Sequence, residues 1–266
     1  MQNNQELRYA VLIDADNVPY AKVKEMMEEI AKYGTPTFKR IYGDWTKPTV
    51  SGWKSVLLEN AITPIQQYSY TSGKNATDSA MIIDAMDILY TGRVDGFCII
   101  SSDSDFTRLA LRLREAGMKV IGMGQKKTPS PFIAACDKFI YIEILKQDAA
   151  ETIKEESKKE EEHVVDESIK KIDKAVINLI SISITDLADE SGWAFLGDLG
   201  NLMLKKQPDF DARNYGFKKL AQMLKSIGNF EIDERQDKGN IKHVYIRIKQ
   251  AKQEPNNKKK AAKKNT

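Results

Sequence analysis

The chain has 266 residues, of which 41% are hydrophobic and 30% charged, and this length is enough for two modest domains. No run approaches the ~18 apolar residues of a membrane-spanning helix, and the amino terminus lacks the basic-then-apolar pattern of an export signal, so we expect a cytoplasmic protein that does not enter the membrane. Cys98, Cys136, His163 and His243 stand at unrelated spacings, which argues against a zinc site, a disulfide scaffold or a histidine-based catalytic triad.

Short β-rich runs alternate with helical patterns between residues 9 and 145. The runs predict strands at 9–14, 38–43, 64–69, 96–101, 119–124 and 138–143. The helical patterns lie in 23–34, 51–61, 78–92 and 106–117. Such a series predicts an α/β domain with a parallel sheet covered by helices on both faces, and ligands then bind outside the carboxyl ends of the strands.

Acidic residues follow several of the predicted strands. Asp14 ends the first, Asp44 follows the second and Asp103 follows the fourth, while Asp78 opens the long helix before the fourth. Burial of the strands would bring Asp14 and Asp103 to one rim of the sheet, where like charges either raise pKa values or recruit a cation. Oxygen ligands without histidine or cysteine fit Mg²⁺ or Mn²⁺, which serve mostly in phosphoryl transfer. A single aspartate here would be an ordinary turn former or helix cap, but caps need no convergence.

Three motifs occur in order in this domain: VLIDADN at 11–17, K-x-x-x-D-x-x-x-x-x-D at 74–84 and IISSDSDF at 99–106. With strands between them they resemble the NYN domain, a PIN-like group of metal-dependent ribonucleases, over roughly residues 8–145. The resemblance implies that Asp14, Asp78 and Asp103 hold the metal. It also implies that Asp105 lies close by as a fourth catalytic carboxylate, acting as a ligand or positioning water.

Further positions follow from the same resemblance. Asn17 would orient Asp14 or hold a phosphate. Asp84 matches a recurrent acidic position of the family. It is six residues from Asp78, so the two side chains do not lie on the same face of a helix. We therefore expect Asp84, like Asp16, to support the metal ligands without binding the metal itself. Asp44 is the weakest of these candidates. Three basic side chains are candidates for contact with the RNA backbone: Lys74, Arg40 and Arg108.

The rest of the chain divides by charge. Residues 147–168 carry three basic against nine acidic side chains, which predicts an acidic linker, and residues 249–266 carry seven lysines against Glu254. We therefore expect a first domain at 1–146, the linker at 147–168, a second domain at 169–249 and a disordered lysine-rich tail at 250–266. Such a tail attracts phosphate backbones without reading their sequence, or simply keeps the chain soluble.

The second domain shows three helical patterns, at 169–183, 193–210 and 214–228, and then two strand-like runs at 230–234 and 243–249. Three helices and a β-hairpin predict a small winged helix-turn-helix. The string G-D-L-G-N-L…P-D-F-D-A-R-N-Y-G-F-K-K-L…H-V-Y-I-R-I-K is similar to the OST-HTH domain, also called LOTUS, which is associated with RNA.

This second resemblance places the RNA contacts of the domain at the start of its third helix and on the hairpin. The expected contacts at the helix are Arg213, Tyr215, Gly216, Lys218 and Lys219. On the hairpin, Arg235, Lys242 and Arg247 are expected to meet phosphates. The alternative is that Tyr215, with Phe217 and Leu220, belongs to the core and that the lysines form a solvated face.

The sequence thus favours a Mg²⁺- or Mn²⁺-dependent ribonuclease with RNA as its partner. One alternative is a phosphatase of the haloacid dehalogenase type, for which Asp14-Ala15-Asp16 fits but the later acidic pair is incomplete. Another is a non-catalytic RNA-binding regulator whose acidic cleft organises a partner. The RNA target, the oligomeric state and any protein partner stay open.

Overall fold

The computed structural model describes residues 6–50, 52–68, 76–145, 171–236 and 242–249. The predicted linker at 147–168 and the tail at 250–266 lie outside the described residues. No helix in the described ranges is long and apolar enough to cross a membrane. The expectation that the protein is cytoplasmic stays a prediction.

In the described residues, the first domain contains six strands and five α-helices in alternation. In chain order these are β1 (Arg8–Asp14), α1 (Val23–Ala31), β2 (Thr35–Gly43), α2 (Trp53–Glu59), β3 (Thr63–Gln66), α3 (Ala76–Thr91), β4 (Gly96–Ile100), α4 (Thr107–Glu115), β5 (Lys119–Gly124), α5 (Ser130–Ala135) and β6 (Lys138–Tyr141). Short 3₁₀ turns precede α1, α2 and α4 and follow β6.

All six strands form one parallel sheet in the order β3-β2-β1-β4-β5-β6. The α/β class and the parallel sheet are therefore confirmed. The central strands β1 and β4 read as nearly continuous apolar runs, and every residue of β4 is buried. Such a pattern is expected when helices cover both faces of a sheet. The helices present apolar residues at helical spacing, as Val23, Met26 and Ile30 do in α1.

The second domain begins with α6 (Lys174–Leu187), whose first turn is capped by Asp173 through a bond from the Val176 amide. It continues with β7 (Ala194–Phe195), α7 (Leu196–Lys206), a 3₁₀ turn at Ala212–Tyr215, α8 (Leu220–Ile227), β8 (Phe230–Gln236) and β9 (Lys242–Ile248). The three strands form an antiparallel sheet in the order β7-β9-β8. Helices and sheet enclose a second apolar core. That this arrangement is a winged helix-turn-helix stays a prediction.

The third helix of this domain starts later than the sequence indicates. Gly216 adopts a left-handed backbone with φ of 82°, which ends the 3₁₀ turn and which residues with a Cβ rarely adopt. Lys219 is extended and precedes the first helical residue, Leu220. The predicted contact residues 213–219 therefore lie on a turn before α8 and not on the helix.

A segment of the second domain lies against the edge strand of the first. The Phe139 amide on β6 donates to the Pro208 carbonyl at 2.8 Å, and the Tyr141 hydroxyl donates to Asp209 at 2.7 Å. Arg213 reaches α1, where both of its terminal nitrogens donate to the Glu29 carboxylate at 2.7 and 2.8 Å. The two domains thus meet through backbone pairing at a sheet edge and a bidentate ion pair.

Candidate active site

The chain changes direction across the sheet between β1 and β4, which are neighbours. From β1 the chain leads to β2 and β3 on one side, whereas from β4 it leads to β5 and β6 on the other. The loops that leave these two strands diverge, and parallel sheets bind ligands at such a point. Asp14 ends β1 and Ser101 follows β4, so both acidic motifs border this crevice.

Three carboxylates, one from a helix and two from the loop after β4, converge there. Asp78 lies in the first turn of α3, Asp103 precedes the 3₁₀ turn at Ser104–Phe106, and Asp105 lies within that turn. One carboxylate oxygen from each residue lies within 4.8 Å of the others. Asp78 and Asp103 are half-buried and Asp105 is exposed, so the group opens to solvent on one side.

Asp14 lies deeper, with 1% of its surface exposed. Its Oδ1 accepts a bond from the Asp16 amide at 3.1 Å, and its Oδ2 accepts bonds from the Asn17 side-chain amide and the Ser101 hydroxyl, both at 2.7 Å. Burial raises the pKa of Asp14, and the bonds from Ser101 and Asn17 act in the opposite direction. Asn17 thus contacts Asp14 directly, and its orienting role stays a prediction.

Ser101 connects the two acidic motifs. Besides donating to Asp14, its hydroxyl oxygen accepts a bond from the Asp103 amide at 3.0 Å, and the residue is fully buried. The Asp103 carboxylate in turn accepts from the Asp105 amide at 2.9 Å. The sequence did not predict this positioning role, although Ser101 lies within the motif at 99–106, two residues before Asp103, where a hydroxyl can reach a neighbouring strand.

The pKa of Asp78 shows how close these carboxylates lie. It rises to about 6, first because the side chain is desolvated and then because of the negative charges of Asp14, Asp103, Asp105 and Asp16. Asp14 is the largest of the charge contributions. Asp14 therefore lies close enough to act on the charge of Asp78 as Asp103 and Asp105 do, and exposed Asp16 adds a smaller contribution.

Asp84 has a different environment from Asp78 on the same helix. Its two carboxylate oxygens accept bonds from the Arg40 guanidinium and the Tyr42 hydroxyl, both on β2. These bonds anchor α3 to the sheet. Asp84 therefore serves packing, and Arg40, a candidate for RNA contact, is committed to the same ion pair.

Asp44, the weakest acidic candidate, is also held locally. It is buried, and its Oδ1 accepts bonds from the Thr46 hydroxyl at 2.6 Å and the Gln66 side-chain amide at 3.1 Å. These contacts are those of a turn former after a strand.

The donor set fits a hard divalent cation. The ligand atoms that converge are carboxylate oxygens, and Mg²⁺ and Mn²⁺ prefer such ligands. The like charges that raise the pKa of Asp78 would be neutralised by a cation between them.

Of the two other basic residues expected to contact RNA near this site, the structure describes only Arg108. Arg108 is exposed in the first turn of α4, three residues after Asp105. Lys74 lies outside the described residues.

Two expected RNA contacts of the second domain are engaged elsewhere. Tyr215 is 7% exposed, belongs to the second core and packs on Phe210 with ring centroids 6.2 Å apart. Arg213 is bound by the carboxylates of Glu29 and Asp211. Packing and ion pairing therefore account for both side chains, and no local pattern in the sequence indicates the pairing with Glu29.

The remaining expected contacts face solvent. Lys218 and Lys219 are exposed before α8, and Lys242 is exposed at the start of β9. Arg235 and Arg247 lie on β8 and β9 with exposed side-chain fractions of 42% and 34%, and each is paired with a nearby carboxylate.

Comparison with protein families gives two matches in the order in which the domains occur. The NYN domain family matches residues 8–143, and the OST-HTH/LOTUS domain family matches residues 167–242. No curated protein matches the whole chain or a part of it.

Three solved structures are similar to parts of the chain. A crystal structure of a protein of unknown function, VPA0982 from Vibrio parahaemolyticus, is 20% identical, with 53% of this chain and 96% of that chain covered and a TM-score of 0.45. A solution structure of an uncharacterized Nitrosomonas europaea protein is 31% identical, covering 38% and 94%, with a TM-score of 0.30. One from Chromobacterium violaceum is 27% identical, covering 35% and 99%, with a TM-score of 0.26.

Proposed function

The chain belongs to the NYN domain family and carries an OST-HTH/LOTUS domain behind its NYN domain, and from this premise we propose that it is a Mg²⁺- or Mn²⁺-dependent ribonuclease. The NYN family is a nuclease family and the OST-HTH/LOTUS domain indicates RNA binding. The proposal specifies the substrate as RNA, the reaction as phosphodiester hydrolysis and the site as the carboxylates at the ends of β1 and β4.

The observation that carries the proposal is the convergence of several carboxylates at one edge of the parallel sheet. One oxygen each of Asp78, Asp103 and Asp105 lies within 4.8 Å of the others, and their charges, with that of Asp14, raise the pKa of Asp78 to about 6. A fold gains nothing in stability from such repulsion, so we infer that the site exists to hold a cation.

Asp14, Asp78 and Asp103 would hold the ion. When bound, a divalent ion supplies Lewis-acid stabilisation of the negative charge that develops on the phosphodiester. The chain prepares this site in advance, since Ser101 fixes Asp14 and the backbone of Asp103 in one network.

Hydrolysis adds one water molecule to the phosphodiester. The water oxygen forms a new bond to phosphorus and the bond from phosphorus to a ribose oxygen breaks, after which one water proton ends on the departing oxygen and the other stays with the new phosphate or solvent. Asp105 is exposed at the mouth of the carboxylate group and is suited to orient the attacking water. Arg108, exposed one turn further, is suited to contact a neighbouring phosphate.

The second domain would hold the substrate near the first. We propose that it is a winged helix-turn-helix, with exposed Lys218, Lys219 and Lys242 meeting phosphates. Tethering raises the effective concentration of RNA at the carboxylate site, which a weakly selective nuclease needs.

The test is cleavage of end-labelled single-stranded RNA by the purified full chain in Mn²⁺, in Mg²⁺ and in EDTA. We expect cleavage with either metal and none in EDTA. Asp14→Asn and Asp103→Asn should each lower the rate by about 10²-fold or more, because each removes a metal-binding charge.

Asp87→Asn is the matched control, since Asp87 is exposed on α3, the helix that carries Asp78. It should cleave at the wild-type rate. RNA left intact by the wild type with both metals, or cleaved equally well by Asp14→Asn and Asp103→Asn, would refute the ribonuclease. Intact RNA that still binds would favour the non-catalytic regulator.

A further inference from the structure

The second sheet has one face on the core and one face toward solvent. Ala194, Phe230 and Ile246 point into the core. Because side chains alternate along a strand, the residues between them share the opposite face. These are Phe195 on β7, Glu231, Asp233 and Arg235 on β8, and His243, Tyr245 and Arg247 on β9.

Aromatic rings and guanidinium groups are stacked on one another along this face. The Arg235 guanidinium lies 4.3 Å from the centroid of the Tyr245 ring and 5.1 Å from that of Trp193. The Arg247 guanidinium lies 4.6 Å from the Trp193 ring. On the other side of Tyr245, the Phe195 ring lies 5.8 Å from both Tyr245 and His243. We call Trp193, Phe195, Arg235, His243, Tyr245 and Arg247 the stacked surface.

The stacked surface is partly accessible: Phe195 and Arg235 are exposed, and the other four residues are half-buried. Phe195 is 37% exposed, and neither domain covers it in the contacts described. A polar residue would be expected at this position because the face points to solvent. An aromatic ring that stays exposed to water beside two further rings contributes little to folding stability. Such a group of rings provides a surface on which a nucleic-acid base can stack.

The arginines can change partner at little cost. Arg247 pairs with Glu231 and Arg235 with Asp233, and all four side chains are between 34% and 47% exposed. Exposed pairs of this kind contribute little to stability, so a phosphate or a base can replace the carboxylate. The aromatic contacts meanwhile hold both guanidinium planes in place.

We propose that the stacked surface is a binding site for single-stranded RNA, in which bases stack on Phe195, Tyr245 and the arginine planes. This rests on the proposed function for the class of ligand. The second resemblance indicates phosphate contacts at Arg235 and Arg247, and the proposal adds the rings of Phe195 and Tyr245 as the place where bases stack. The site takes over the stacking contact that buried Tyr215 and ion-paired Arg213 do not offer.

Charge favours RNA over a protein partner at this face. The sequence that follows β9 carries seven lysines against Glu254, beginning with exposed Lys249 two residues after Arg247. A polyanion of linked phosphates satisfies many such charges at once and releases counterions when it binds. A face of arginines alternating with rings also suits every base, which predicts weak sequence preference.

The experiment is a binding titration of the full chain with a fluorescein-labelled single-stranded RNA in EDTA, so that no RNA is cleaved. Phe195→Leu and Tyr245→Leu keep apolar bulk but remove the aromatic face. Each should weaken binding by about tenfold. The same variants should bind an abasic oligonucleotide of equal length as the wild type does, because that probe has phosphates but no bases to stack.

Two controls separate stacking from charge and from folding. Ile182→Ala removes a comparably exposed apolar residue from α6 of the same domain and should not change affinity. Arg235→Lys keeps the charge but loses the planar group, so it should weaken binding of RNA more than binding of the abasic probe. Thermal unfolding of each variant checks that the domain still folds.

Equal RNA affinity for the wild type, Phe195→Leu and Tyr245→Leu would overturn the proposal, as would equal losses with RNA and abasic probe. Failure here is distinguishable from failure of the nuclease. If cleavage depends on Asp103 but RNA binding is unaffected by Phe195→Leu and Tyr245→Leu, only the stacking site is refuted. If binding depends on these rings but no RNA is cleaved, only the nuclease is refuted.

Discussion

Carboxylates in two regions of the first domain experience opposite electrostatic surroundings. At the ends of β1 and β4, Asp78 stands among other carboxylates and its pKa rises to about 6. On α1, Glu29 is 3% exposed, yet its pKa falls to about 2 although burial alone would raise it, because Arg213 and Lys32 donate to it. Burial is common to both regions, and the presence of cationic partners makes the difference.

The comparison indicates which acidic residues are structural. Where the chain supplies its own cation, as Arg213 does for Glu29 or Arg40 does for Asp84, the carboxylate holds elements together. At Asp78 the neighbouring charges that raise the pKa are those of other carboxylates, so we expect a divalent cation from solution to stabilise this site. The following predictions test this distinction, beginning with the largest expected effect.

Glu29→Gln should weaken the contact between the domains by about 3 kcal/mol, because it leaves Arg213 with one carboxylate partner instead of two. The free energy of unfolding in urea, followed by a probe in each domain, measures this loss. Glu28→Gln is the control, since Glu28 is half exposed and pairs only loosely with Lys24 on the same helix. An equal effect of the two substitutions would contradict the assignment.

The same contact should depend on pH in a defined direction. The pKa of Glu29 is lower in the folded chain, at about 2, than its ordinary 4.5, so between these values the unfolded chain binds more protons. The stabilisation is present above about pH 4.5 and is lost as the pH falls toward 2. Glu29→Gln should remove this part of the pH dependence.

Ser101→Ala should weaken Mn²⁺ binding by about tenfold, because Asp14 loses a donor and the Asp103 amide loses its acceptor. Isothermal titration calorimetry of the metal alone measures the change. Ser104→Ala, an exposed serine in the same loop, is the matched control. Unchanged affinity in Ser101→Ala would show that Ser101 does not position the site.

Asp78→Asn should raise the melting temperature of the metal-free protein by about 2–4 °C, because it removes one of several like charges. The pKa of Asp78 is raised from 3.8 to about 6, so the folded chain binds more protons in that window and its stability falls as the pH rises through it. The variant should lack this fall.

Mn²⁺ should reverse the ranking of these two proteins. It binds the folded wild type and should raise its melting temperature, while the variant should gain less. The prediction would be contradicted if metal-free Asp78→Asn melted at a lower temperature than the wild type while Asp87→Asn did not. Asp78 would then stabilise the fold, and repulsion among the carboxylates would not be what lowers the stability of the metal-free protein.

Most of the first domain could be predicted because its signals are local. Five of the six strands start within one residue of the predicted position, except that β2 begins three residues earlier, and the acidic motifs follow β1 and β4 as expected. In a βαβ series the residues that follow each strand lie at the same edge of the parallel sheet. Asp14 and Asp103 could therefore be placed at this edge from their positions at the end of a strand.

The parts that the sequence did not predict depend on distant or weak signals. Helix α5 and strand β7 have six and two residues, too short for a periodic pattern. The late start of α8 depends on the left-handed turn at Gly216. The pair Glu29–Arg213 joins residues 184 positions apart, and nothing near either residue indicates the other.

The contact between Phe139 and Pro208 has a consequence for solubility. β6 is the last strand of its sheet, and a strand in that place can template the addition of a foreign strand. The second domain occupies part of this edge by accepting the Phe139 hydrogen bond. A fragment ending near residue 145 would therefore expose the unpaired edge of β6 and self-associate at high concentration. In the intact chain the second domain covers part of this edge.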